Sequence, residues 1–120
     1  MALVVLLAAD AFATRPTASV LTRRAIDASA YAVGEHFRTT HALPGSLARV
    51  RRRRRHWDMT RDAWGRPLVY GKDAADAFRL TSFGADGLAG GEGDDADVTI
   101  CFRIGPTGRE LPTSCTSSYR

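Results

Sequence analysis

Five acidic residues, Asp86, Glu92, Asp94, Asp95 and Asp97, share the stretch Ser82–Val98 with five glycines and almost no apolar side chain. That composition suits a hard cation. Calcium takes about six to eight oxygens, mixing carboxylates with backbone carbonyls. Glycine lets a loop turn tightly enough to aim those carbonyls inward. Five carboxylates also supply more negative charge than a folded loop should hold without a cation. The spacing is not that of an EF-hand: with Asp86 first, the third and fifth positions are Leu88 and Gly90, which offer no carboxylate. Spacing alone leaves a bland alternative open, a solvated acidic hairpin loop.

Other chemistry finds little support. His36, His41 and His56 are scattered, and none sits beside a candidate nucleophile. Ser114, Ser117 and Ser118 lie in a polar tail without a Gly-x-Ser-x-Gly context. No paired acid and base occurs outside the acidic loop, so the chain reads as a non-enzyme with no small-molecule substrate. Its two cysteines form no CxxC and no Cys/His cluster, which removes zinc and haem.

A second patch is Arg51, Arg52, Arg53, Arg54 and Arg55, followed by His56 and Trp57. Guanidiniums for phosphates and an indole for stacking would serve a nucleic acid. A solvated loop, or a surface for an acidic partner, is favoured over specific nucleic-acid binding, because an arginine run is a low-specificity signal. The chain carries sixteen Arg against a single Lys. Trp64, Pro67 and Tyr70 read as packing, an aromatic turn seating a sheet on a helix.

The elements that must hold these residues follow from periodicity. From Thr17, apolar positions Val20, Leu21, Ile26, Ala30, Tyr31, Val33 and Phe37 recur at steps of three and four, which predicts an amphipathic helix ending near Thr39–His41. Pro16 suits its first turn and Thr14 or Thr17 its cap, while Gly34 is a weak point within it. Ser46 starts a short helical turn toward Val50. Residues 66–70 read as a Pro-led edge strand, 77–83 as a half-buried strand and 98–104 as a third, with a turn from Gly71 to Asp76. The layout is α+β, one helix followed by a small antiparallel sheet.

At 120 residues the chain is one domain at most. It divides into an apolar segment 1–16, a domain 17–104 and a tail 105–120. Met1–Ala9 is too short to span a bilayer alone; it reads as a signal peptide, the start of a long helix or a membrane attachment, and export is the favoured compartment. In an exported protein Cys101 and Cys115, which flank a turn-rich segment, usually pair; in the cytosol they would be unrelated thiols.

Three segments resemble a known family. DAWGRPLVY (Asp62–Tyr70), SFGADG (Ser82–Gly87) and GGEGDDADV (Gly90–Val98) are similar, in pattern and separation, to the major pseudopilin of type II secretion systems. YAVGEHFRTTHALPGSLA (Tyr31–Ala48) is more loosely similar to that family's helix end and following turn. The resemblance implies a pilin-like fold, a long N-terminal helix on a small antiparallel sheet, with calcium in the acidic loop. Carried over, Asp86 ligates through its side chain, Phe83 through its carbonyl and Asp95 through a carboxylate, with Glu92, Asp94 and Asp97 as further ligands or their supports. It implies a bacterial structural subunit or assembly factor of a pseudopilus or related filament, in the periplasm or at the inner membrane. Its partners would be other pseudopilins or secretion components. The alternative is an exported pilin-like protein binding nucleic acid through Arg51–Trp57. The resemblance describes a relative divergent or truncated at its N-terminus, since residues 1–16 lack the family's Gly-Phe cleavage point and the Glu that follows. The chain also runs on to Arg120, where a Cys101–Cys115 disulfide would resemble the C-terminal loop of type IV pilins.

Overall fold

Between Thr22 and Val33 the buried positions are Thr22, Ala25, Ile26, Ser29, Ala30, Ala32 and Val33, mostly small and spaced by three or four. Such a stripe gives a helix a flat face that can approach a sheet closely. In the computed structural model, which describes residues 16–50, 53–54 and 57–115, this helix (α1) spans Ala18–Thr40. Thr17 caps it, its hydroxyl accepting from the Val20 N–H at 3.2 Å. His41, in the left-handed conformation, closes it by donating its N–H to the Phe37 carbonyl at 2.7 Å.

After a single 3-10 turn at Leu47–Arg49, two short strands, β1 (Arg53–Arg54) and β2 (Trp57–Asp58), form a two-stranded ribbon. The main sheet follows: β3 (Val69–Ala74), β4 (Ala77–Ser82), β5 (Val98–Ile104) and β6 (Glu110–Thr113), antiparallel in the order β3-β4-β5-β6. The architecture is therefore α+β, one helix on a small antiparallel sheet as the sequence predicts, and the sheet has four strands. Segment 1–15 and residues 116–120 lie outside the described residues, and so do Arg51, Arg52, Arg55 and His56.

Two expectations need correction. The predicted turn Gly71–Asp76 is mostly strand, because β3 continues to Ala74 and only Ala75 and Asp76 turn. Arg79, opposite Gly71 on β4, reaches across to form an ion pair with Asp73. A Cβ at Gly71 would sit 2.8 Å from the Arg79 guanidinium carbon, so glycine here admits the arginine rather than marking a turn. The predicted tail also contributes strand β6. Pro112 obscures it in the sequence, yet an edge strand tolerates proline.

The core lies between α1 and the sheet. Phe78 and Phe102 stack with ring centroids 5.1 Å apart, Ile26, Val33 and Leu80 are fully buried, and Leu43, Leu47, Val50 and Leu68 close the cluster. Buried aliphatic and aromatic side chains contribute roughly 1.5–3 kcal/mol each. A disulfide joins Cys101 on β5 to Cys115 just past β6, pinning the edge strand to its neighbour. On the chain-entropy account a bridge of this span stabilises by about 3 kcal/mol.

Gly34, the weak point of the helix, has a packing reason. The Glu110 carboxylate of β6 lies where a side chain would project, 2.8 Å from the position a Cβ would take. Arg38, one turn on, lies 3.8 Å from Glu110 Oε1 and donates to the Gly108 carbonyl at 3.0 Å. Helix end and last hairpin are thus joined by a charged contact over a glycine.

Tyr70 packs its ring beside Phe78, at 6.0 Å between centroids, and donates its hydroxyl to the Pro44 carbonyl at 2.8 Å. Burial pushes its phenol up to about 12. The unfolded phenol titrates near 10, so the folded state holds the proton more tightly. This stability is fully present below pH ~10 and is lost as pH rises toward ~12. Tyr70→Phe should cost about 1 kcal/mol at neutral pH through the lost hydrogen bond. It should also flatten the alkaline decline in urea denaturation, and an equally steep decline in the variant would show that Tyr70 does not cause it.

Candidate functional site

The acidic loop begins where β4 ends and closes where β5 begins. Ser82 and Val98 are register partners, so the hairpin holds both ends of residues 83–97 together. Within the loop the two halves face each other. The Ala85 N–H donates to the Asp94 carbonyl at 2.7 Å, and the Gly90 N–H donates to both carboxylate oxygens of Asp97 at 3.0 Å. Asp86 accepts from the Leu88 N–H at 3.0 Å, a local turn of the kind Asp makes two residues on. A 3-10 turn, Gly93–Asp95, shapes the second half.

Glycine is required where the halves touch. Gly84 has φ +75°, and a Cβ on it would lie 2.6 Å from the Asp95 carbonyl carbon and 2.8 Å from the Asp94 carbonyl oxygen. No side chain fits there. This close approach is what a loop concentrating oxygens needs.

The base of the loop is fixed by a residue outside the acidic stretch. Asp62 is buried. One of its carboxylate oxygens accepts from the Trp64 and Arg66 N–H groups, each at 3.0 Å, and the other from the Ser82 hydroxyl at 2.7 Å. Ser82 Oγ in turn accepts from the Gly84 N–H at 3.2 Å. The turn Asp62–Pro67 and the first residues of the acidic loop are therefore one hydrogen-bonded unit. The signal in the sequence is the Asp-x-x-Gly-x-Pro turn itself, in which Asp organises the following amides.

Helix α1 positions that unit. Ser29 donates its hydroxyl to the Met59 carbonyl at 2.7 Å, and Thr22 accepts from the Ala63 N–H at 3.2 Å. Both side chains are fully buried polar groups on the apolar stripe, and each is satisfied by backbone of the segment entering the site.

Of the residues singled out by sequence, Phe83 is half-buried, whereas Asp86, Glu92, Asp94, Asp95 and Asp97 are exposed. The fold brings Asp94, Asp95 and Asp97 against the first half of the loop, through two backbone carbonyls and one carboxylate. Among the described residues no three His, Cys, Asp or Glu side chains converge as a metal cage. The donor set is nonetheless all oxygen and rich in backbone carbonyls, the chemistry of a hard cation. Of the arginine patch, Arg53 and Arg54 are described as backbone paired with Trp57 and Asp58, and Trp57 is exposed. Among the described residues of Arg51–Trp57 nothing supports nucleic-acid binding. Among the described residues no helix is long and apolar enough to cross a membrane.

Removing the Asp62 carboxylate orphans three donors at once. Asp62→Ala should lower unfolding stability by about 3 kcal/mol. A loss below about 1 kcal/mol in urea denaturation would show that water replaces these bonds at no cost.

Comparison with known proteins gives one match. Residues 51–101, under half of the 120-residue chain, match the family described as type II secretion system (T2SS), protein G. The matched segment runs from the arginine block through the Asp62 turn and the acidic loop into β5. It supports kinship with that family of major pseudopilins. No curated protein matches the chain, and no solved structure does.

Proposed function

We propose that this chain is a non-enzymatic structural subunit or assembly factor of a type II secretion pseudopilus or related pilin-like filament, exported to the periplasm or held at the inner membrane. The match of residues 51–101 to T2SS protein G carries the reading. The helix-on-sheet fold agrees with it, and so does the placement of the loop between two hydrogen-bonded strands. Its partners are other pseudopilins or components of the secretion machinery.

The same reading makes the loop a calcium site. Asp86 would supply a carboxylate, Phe83 a carbonyl and Asp95 a further oxygen, with Glu92, Asp94 and Asp97 completing or supporting the set. A glycine cradle that lets Asp94 and Asp95 backbone close on Gly84 fits such a group. Bound there, calcium supplies positive charge to a segment of five carboxylates. The chain's own residues do the remainder: Asp62 and Ser82 fix the entry, and the Ser82–Val98 pair fixes the exit. Ligand binding to the native state alone adds stability by mass action.

Thermal unfolding in EGTA and in millimolar calcium, with magnesium as control, should show a calcium-specific rise of several degrees that Asp86→Ala abolishes. An identical rise in the variant removes Asp86 from the site, and no rise in the parent removes calcium. The assembly reading is tested separately in the host. Deleting the chain should reduce the export of type II secretion substrates, and unchanged secretion would sink it.

A further inference from the structure

No Lys or Arg lies between Ser82 and Val98, so any cationic side chain at the acidic loop must come from another part of the fold. Arg66 provides one. Its Nη1 donates to the Ala85 carbonyl at 2.6 Å and approaches the Gly84 carbonyl at 3.4 Å. Its stem crosses Gly87, where a Cβ would lie 2.4 Å from Arg66 Nε, so the loop leaves room for the arginine at a residue without a side chain. The backbone of Arg66 is fixed on both sides, its N–H donating to the Asp62 carboxylate and its carbonyl accepting from the Asp62 N–H at 2.9 Å. A guanidinium on a fixed backbone, aimed at two consecutive carbonyls of a loop that carries five carboxylates, is a preorganised cationic clasp.

We propose that Arg66 is the positioning residue of the acidic loop, closing its first half when no divalent cation is present. Calcium then tightens a loop already shaped, rather than ordering a free one; this second clause rests on the calcium reading above. Charge-assisted hydrogen bonds are roughly twice as strong as neutral ones, and a planar fork holds its direction better than an ammonium. The carbonyls that Arg66 engages, those of Gly84 and Ala85, lie on either side of the Ala85 N–H that donates to Asp94. Holding them favours closure between the two halves of the loop.

Hydrogen exchange of the full chain reads this directly. The Ala85 and Gly90 amides, which donate to Asp94 and Asp97, report closure, and the amides of β4 and β5 report the domain. In EGTA, Arg66→Gln should accelerate exchange at Ala85 and Gly90 by at least about tenfold, as expected when a charge-assisted hydrogen bond is lost from a local opening equilibrium. Strand amides should keep the parent rate, and calcium should restore protection to the loop. Unchanged loop exchange in EGTA overturns the proposal. Acceleration of strand amides by the same factor overturns it too, since Arg66 would then stabilise the whole domain. If Arg66→Gln opens the loop but calcium slows exchange in neither protein, the calcium reading fails and the assignment of Arg66 stands.

Discussion

A carboxylate removed from water must be surrounded by donors or it destabilises the fold. Asp62 meets that requirement with two backbone amides and one hydroxyl, and the geometry of the site follows. Its amide partners set the turn that reverses the chain before β3. Its hydroxyl partner, Ser82, is the last residue of β4 and holds the Gly84 amide. The carboxylate therefore links the segment leaving the ribbon to the loop leaving the sheet. Arg66, two residues past Trp64 in the same turn, reaches the loop from a backbone whose amide and carbonyl Asp62 holds.

The helix contributes by being polar in two places on its buried face. Small side chains bring α1 close to the chain that crosses it, and at that distance the Ser29 and Thr22 hydroxyls reach the backbone of Met59 and Ala63. Apolar residues at both positions would leave that carbonyl and that amide without their present partners, a cost of about 1–3 kcal/mol for each one left buried. At its other end the helix omits a side chain at Gly34 so that Glu110 can approach, with Arg38 beside it. A mid-helix glycine costs roughly 1 kcal/mol, and a side chain at this position would collide with the Glu110 carboxylate of the last strand.

Periodicity made the helix legible to within a residue, because a stripe at three- and four-residue spacing and a threonine cap leave few alternatives. The strand Val98–Ile104 was equally plain, since its apolar and polar residues alternate cleanly. The ends of the sheet were not. Gly71 and Asp73 look like turn chemistry, and only the crossing of Arg79 explains their extended conformation. Strand β6 was masked by Pro112, and its pairing depends on β5 and on the bridge to Cys115. In the site, composition revealed the loop and the resemblance named candidate ligands. The Asp62 turn is local, with bonds to Trp64 and Arg66, but the bond from Asp62 to Ser82 and the reach of Arg66 to Ala85 span about twenty residues, which spacing does not encode.

The two edges of the sheet bear on how such a subunit could pack. Strand β6 carries Pro112, and β3 carries Lys72 and Asp73 near its end, with a register irregularity between Lys72 and Ala74. Proline, charge and bulges are the devices by which edge strands resist pairing with another chain. On the pseudopilus reading, contacts between subunits then fall to side-chain surfaces rather than to strand addition. The exposed large apolar residues among those described are Val20, Leu21 and Tyr31 on the helix, Trp57 on the ribbon, Val69 and Leu111 on the edge strands, and Leu88, 66% exposed, at the loop. A surface of this kind needs a defined shape to be complementary to a neighbour, and a fifteen-residue loop carrying five like charges does not acquire one from its sequence alone. The hairpin ladder fixes its ends, Asp62 its base and the guanidinium of Arg66 its first half, so Leu88 is presented from a constrained loop.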